Sequence, residues 1–256
     1  MPDREDYDDV GADTFDLAVP GGTTAAWRYR PVGDGPHPAV VLGAEGTGVN
    51  SLIRHVGATL AHLGYVSIVA DYYRGAGPAD PEDYSDVDDM VRHIDALDFR
   101  RAVQDTLAAV DHVQALPYVD PTRVASWGYC TGGTLAMFAA CLRHDLAASV
   151  WFYPSQPTFA TLDAAHPVHA LDLLWNVRCP TLLVLGTLDV VLPAERLAEV
   201  RRLADQWEVD LRVRTYEGAG HAFNAVGSSF HDPAASDRSW LDATEFLAEQ
   251  LGGRPA

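Results

Sequence analysis

Arg123-Val124-Ala125-Ser126-Trp127-Gly128-Tyr129-Cys130-Thr131-Gly132-Gly133-Thr134-Leu135-Ala136-Met137 is the stretch that decides how this chain folds. An apolar run ends in Gly128-Tyr129-Cys130-Thr131-Gly132, and residues 131–144 then follow a helical pattern. A strand, a sharp turn and a helix place one reactive side chain at the tip of the turn. The small residues on either side leave room for the backbone to cross itself. The thiol of Cys130 stands at a helix N-terminus, where the dipole and free N–H groups favour a thiolate. The plain alternative is a buried cysteine in a tight turn.

The pattern outward from this turn is regular. Residues 39–44, 65–73, 147–154, 180–187 and 211–217 read as further strands. Most are continuously apolar, as in a parallel sheet covered on both faces. Residues 15–19 and 23–30 alternate around Gly21-Gly22 and read as an antiparallel hairpin at the sheet edge. Helical periodicity covers 52–64, 99–116, 193–207 and 236–251. Strands alternating with helices give an α/β chain with a mostly parallel sheet, expected to form one domain over 1–256 with residues 1–12 as a flexible acidic N-terminus. Residues 78–90 are acidic and turn-rich, and read as a solvated connection or a loop over a site.

Two more segments carry chemistry. In Pro180–Glu195 a buried strand runs into a loop presenting Asp189, at the sheet end where ligands bind in open α/β folds. In Thr215–Asn224 a strand end and a Gly-Ala-Gly turn deliver His221. His231 is the competing base. Nucleophile, acid and histidine come in the chain order of α/β-hydrolases. Asp189 would orient His221, and His221 would take the Cys130 proton. An oxyanion needs two backbone donors, expected from Thr131 and from Gly46 in the loop after the 39–44 strand.

With these segments, Gly128–Gly133, Gly186–Pro193 and Gly218–Asn224, the chain resembles the dienelactone hydrolase (carboxymethylenebutenolidase) family over residues 15–250, and Val69–Gly75 matches it too. The resemblance implies the α/β-hydrolase fold and cleavage of a small ester or lactone through a thioester. It further implies that Glu45, on the oxyanion loop, contacts the resting thiol until substrate displaces it. A carboxylate there would hold the thiol neutral. The family's carboxylate-binding arginines would correspond to Arg74 and to a position near Asn224-Ala225 that has no arginine here. Losing one clamp weakens recognition of a carboxylated lactone. Tyr72, Tyr73, Trp151, Phe152, Tyr153 and Phe223 are the aromatic candidates to line the substrate pocket.

Composition excludes other partners. The formal net charge is −18 and every basic residue is arginine. Such a surface repels nucleic acid and anionic membranes. No 18-residue apolar run and no basic, apolar leader are present, so a cytoplasmic protein is expected. Three widely spaced cysteines, Cys130, Cys141 and Cys179, make neither a disulfide framework nor a metal site, and no cofactor or metal is implied. The expected partner is a small ester or lactone, the expected state a monomer or homodimer. The alternatives are a thioesterase or lactone-forming enzyme using the same triad, a non-catalytic binding protein, and a thiol sensor with Cys141 as the resolving cysteine.

Overall fold

The computed structural model describes residues 10–253. Residues 1–9 of the expected acidic arm lie outside the described residues, whereas Gly11 and Ala12 already belong to the first strand. Strands β1 (Gly11–Val19), β2 (Gly22–Arg30), β3 (His37–Gly43), β4 (Val66–Ala70), β5 (Val119–Tyr129), β6 (Ala148–Phe152), β7 (Thr181–Gly186) and β8 (Leu211–Tyr216) form one sheet in the order β1-β2-β4-β3-β5-β6-β7-β8. The β1–β2 hairpin is antiparallel and meets β4 antiparallel, and all other neighbours are parallel. This is the α/β-hydrolase architecture expected from the sequence.

Burial explains the order. Strands β4, β6 and β7 are buried at every residue, and β3 at all but its first, so their sequences are continuously apolar. At the edge, β1 alternates between exposed and buried at its C-terminal end. Among the described residues there are six α-helices, α1 (Ser51–His62), α2 (Val87–Asp95), α3 (Phe99–Gln114), α4 (Thr131–Leu142), α5 (Ala194–Gln206) and α6 (Pro233–Leu251), of which α1, α3, α4 and α6 pack on the sheet. Asn50, Asp86, Asp98 and Asp232 cap α1, α2, α3 and α6, each accepting a backbone N–H three residues on.

Several boundaries differ from the expectation: β1 and β5 each begin four residues early, β4 stops at Ala70, and two helix starts move. Helix α2 begins inside the segment read as a connection, because Asp86 caps it and Met90 and Ile94 lie one turn apart on its inner face, packed over Gly46. Helix α6 begins three residues early, at Pro233, where a ring with fixed φ suits the first helical position after the Asp232 cap.

The turn at Cys130 depends on near-contact between backbones. Cys130 has φ 51° and ψ −114°, a conformation costing about 1–3 kcal/mol for a residue with a Cβ. A Cβ on Gly128 would stand 2.0 Å from the Gly132 carbonyl oxygen, and one on Gly132 would stand 2.1 Å from the Gly43 carbonyl carbon. The N–H of Gly132 donates to Ala44 O at 2.8 Å, tying α4 to the end of β3. Gly132→Ala is therefore expected to cost about 3 kcal/mol or more in chemical denaturation, because backbone on both sides would have to move. A loss under about 1 kcal/mol would show that the approach is not obligatory.

Candidate active site

The site gathers at the C-terminal ends of four parallel strands. Strand β5 delivers Cys130, the loop after β7 delivers Asp189, the loop after β8 delivers His221, and the loop after β3 carries Glu45 and Gly46. His221 Nδ1 lies 3.0 Å from Asp189 Oδ2, and His221 Nε2 lies 3.3 Å from Cys130 Sγ. The imidazole that meets both is thus His221, and His231 lies ten residues on in the loop before α6. The other oxygen, Asp189 Oδ1, accepts the N–H groups of Val191 and Leu192 at 2.8 and 2.9 Å, which fixes the carboxylate's orientation. The backbone of Cys130 is held by a bond from its N–H to Phe152 O at 3.0 Å.

These contacts set the charges. Burial pushes the Cys130 thiol up, but the neighbouring His221 and their hydrogen bond outweigh it, and the thiol falls below its ordinary value. Glu45 acts against this fall. Burial disfavours imidazolium in His221, yet Cys130 and Asp189 together raise it well above an ordinary imidazole. Asp189 is depressed despite burial, because His221 and two amides stabilise its charge. Both shifts run in the direction that favours a thiolate beside an imidazolium.

Residues 24–251 match the dienelactone hydrolase family. The chain belongs to that family. As a member it is a hydrolase of the ester- and lactone-cleaving class. It is 29% identical over 245 residues to a Bradyrhizobium protein named "Probable 2-oxo-3-(5-oxofuran-2-ylidene)propanoate lactonase", covering 96% of this chain and 97% of the other. It is 30% identical over 204 residues to a Yersinia pestis protein assigned provisionally as a carboxymethylenebutenolidase, covering 79% and 75% of the two chains. A Klebsiella pneumoniae structure assigned provisionally as a dienelactone hydrolase superposes with a TM-score of 0.85 at 24% identity, over 94% of this chain and 99% of that one. A dienelactone hydrolase-like promiscuous phosphotriesterase from metagenomic libraries gives 0.77 at 24% identity, over 95% and 99%. These two structural likenesses speak to the fold.

Compared with the family-based expectation, this dienelactone hydrolase homologue departs at several residues. The Arg74 guanidinium is engaged within the fold. Its Nε and NH2 bind the buried Asp105 of α3 at 2.8 and 2.6 Å, and NH2 also donates to Pro20 O at 3.0 Å. Tyr72 and Tyr73 are buried beneath the loop after β3. The Tyr72 hydroxyl donates to Glu45 O, and the Tyr73 hydroxyl donates to Gly46 O at 2.8 Å. A trans peptide points its C=O and N–H in opposite directions. Holding the Glu45 carbonyl therefore turns the Gly46 N–H the other way. Tyr153 is fully buried, stacks edge-on against His221 with centroids 5.1 Å apart, and reaches Glu45 Oε1 with its hydroxyl at 3.3 Å. Phe223 is fully buried behind Tyr153, and Trp151 and Phe152 are core side chains.

Glu45 itself is not paired with the thiol. Its Oε2 accepts from the Tyr84 hydroxyl at 2.5 Å. Burial raises its pKa, opposed by Tyr84, His221 and Tyr153. The sequence reading missed Tyr84, Asn50 and Ser155. Tyr84 is a lone aromatic in an acidic stretch, and Asn50-Ser51 before an apolar periodic run is a helix-cap signal. Ser155 follows β6 and carries a hydroxyl that lies against the thiol, yet is buried without a well-formed hydrogen bond among the described residues. A cleft of about 580 Å3 between α5 and the 3₁₀ turn Leu171–Asn176 contains none of the triad residues.

The remaining cysteines are buried. Burial pushes Cys141 up to about 12 and Cys179 up to about 11. Cys141 lies eleven positions beyond Cys130 in α4, about 16 Å along a helix axis, too far for a resolving disulfide. The thiol-sensor alternative with Cys141 is therefore set aside. Among the described residues no cluster of three or more His, Cys, Asp or Glu is arranged to hold a metal, and no helix is long and apolar enough to cross a membrane.

Alkylation of Cys130 by iodoacetamide should report the thiolate directly. Its pH midpoint is expected below the free-thiol value of about 8.5, with reactivity present above the midpoint and lost as pH falls through it. In His221→Ala, burial and Glu45 are opposed only by the Ser155 hydroxyl and the α4 N-terminus, so the midpoint should rise from its wild-type value. An unchanged midpoint in that variant would refute the pairing.

Proposed function

We propose that this protein hydrolyses a small, uncharged ester or lactone through a Cys130–His221–Asp189 triad and a thioester acyl-enzyme. The observation that carries the reading is the continuous contact from Asp189 Oδ2 to His221 Nδ1 at 3.0 Å and from His221 Nε2 to Cys130 Sγ at 3.3 Å. The thiolate of Cys130 adds to the carbonyl carbon, and the carbonyl π pair moves to oxygen. The N–H groups of Gly46 and Thr131 receive that oxyanion. As the tetrahedral adduct collapses, the C–O bond breaks and the leaving oxygen takes the proton from His221. Water then attacks the thioester with His221 as base, and the acid leaves as Cys130 regains its thiolate. A single domain carries all of these groups.

The substrate's lack of charge rests on Arg74. The Bradyrhizobium relative is named for a propanoate, an anion. In this chain the guanidinium matching the family's first clamp is committed to Asp105, and the second position has no arginine. The charged group nearest the thiol and its histidine, other than Asp189, is Glu45, which would repel a carboxylate.

Three measurements test this. Cys130→Ala should lose roughly 10⁴-fold or more in kcat while keeping its fold, and full turnover in that variant would sink the proposal. Comparing kcat/KM for p-nitrophenyl acetate with a carboxylated dienelactone should favour the neutral ester. The loss of one charge-assisted pair corresponds to roughly 10–100-fold. Strong preference for the dienelactone would refute the uncharged substrate while leaving the triad standing. Turnover of neither by the wild type, with thioesters cleaved instead, would favour the thioesterase or lactone-forming alternative. Tyr72→Phe removes one of the two donors to the Glu45 carbonyl and leaves the Gly48 N–H at 2.9 Å, so the Gly46 N–H is held less firmly and kcat should fall by up to about tenfold with KM little changed. An unchanged kcat would remove Gly46 from the oxyanion site.

A further inference from the structure

The segment between Gly75 and α2 is fastened to the site by two side chains. Glu82 accepts Ser51 N–H at 2.6 Å and Arg54 NH2 at 3.1 Å through Oε1, and the Ser51 hydroxyl at 2.6 Å through Oε2. That pins the loop onto the N-terminal turn of α1. Two residues on, half-buried Tyr84 bridges Asn50 and Glu45, with Asn50 Nδ2 at 2.6 Å and Glu45 Oε2 at 2.5 Å from its hydroxyl oxygen.

The direction of this chain of bonds is determined. Asn50 Oδ1 accepts the Ile53 N–H at 3.0 Å as the α1 cap, which identifies the other atom as the amide nitrogen. An amide nitrogen only donates, so it occupies an acceptor position on Tyr84. The Tyr84 hydrogen is then directed to Glu45. With the Tyr153 hydroxyl donating to Oε1 at 3.3 Å, both oxygens of Glu45 act as acceptors, which suits a carboxylate. The titratable groups around that carboxylate are Tyr84 from the loop, Tyr153 after β6, Tyr129 and Cys130 at the end of β5, and His221 after β8, with the Tyr72 hydroxyl on its backbone. Among them Cys130 is the group whose reactivity a displaced carboxylate would suppress, since a negative charge opposes a thiolate.

We propose that Tyr84 is a positioning residue: by holding the Glu45 carboxylate on the loop side of the site, it keeps that charge from approaching Cys130 more closely and leaves the thiol to His221 before substrate arrives. The proposal rests on the reading of Cys130 as nucleophile. It assigns to residues 82–84 a part in setting the nucleophile's reactivity, beyond that of a connecting loop.

The test is the pH profile of iodoacetamide alkylation at Cys130, corrected with Cys130→Ala for Cys141 and Cys179. Tyr84→Phe should raise the midpoint by about one pH unit and lower the rate correspondingly below it. In a Glu45→Gln background there is no charge to release, so adding Tyr84→Phe should leave the midpoint where Glu45→Gln alone puts it. A merely structural Tyr84 would change thermal stability in both backgrounds without a Glu45-dependent midpoint. No shift in Tyr84→Phe, or an equal shift in the Glu45→Gln background, would overturn the proposal. Should Tyr84→Phe fail to fold, Glu82→Ala, an exposed change that unfastens the loop, should shift the midpoint in the same direction by less; none would again overturn it. Because alkylation needs no substrate, failure here is separate from failure of the hydrolytic reading, which shows as retained turnover in Cys130→Ala.

Discussion

The close passage of the β5–α4 turn over the end of β3 is the constraint to which the rest of the site is keyed. Gly128, Gly132 and Gly43 come together so tightly that a Cβ on any of them would penetrate neighbouring backbone. That contact allows Cys130 to occupy a left-handed conformation at the tip of the turn. It also brings the N-terminus of α4 beside the oxyanion loop, because Gly132 N–H bonds Ala44 O in the residue before Glu45. Separate the backbones and Cys130, the α4 N-terminus and the loop carrying Glu45 and Gly46 lose their common origin together.

Electrostatics acts on top of that geometry. The thiol is buried, so both favourable and unfavourable charges act on it at low dielectric. His221 draws it toward thiolate and Glu45 pushes it back. Two charges of opposite effect on one thiol make the position of the Glu45 carboxylate consequential, and Tyr153 and Tyr84 bind its two oxygens. Each of these tyrosines is also part of another packing unit: Tyr153 buttresses His221 and Phe223, and Tyr84 meets the cap of α1.

The features legible in the sequence are those whose signal is local. Buried parallel strands are continuously apolar, glycines flank Cys130, and Asp189 and His221 follow strand ends in order. The partners of side chains are a different matter. Arg74 stands where a substrate clamp was expected, but its partner Asp105 lies 31 residues away in α3 and becomes adjacent through folding alone. Tyr72 and Tyr73 look like pocket aromatics in sequence. Their hydroxyls bind backbone carbonyls that no side-chain pattern records. Acidic residues around Val87–Asp95 obscured a helix whose few apolar positions suffice because they press on one glycine, Gly46.

The same small set of groups governs reactivity and substrate choice. Committing Arg74 to Asp105 removes a cation from the substrate side and supports α3 against the loop after β4. Glu45 is a buried carboxylate and needs hydrogen-bond donors. Tyrosine hydroxyls supply them without adding charge. In the proposed reading, neutral donors around the carboxylate go with a neutral substrate, since an anionic one would have to compete with Glu45 for the His221 imidazolium.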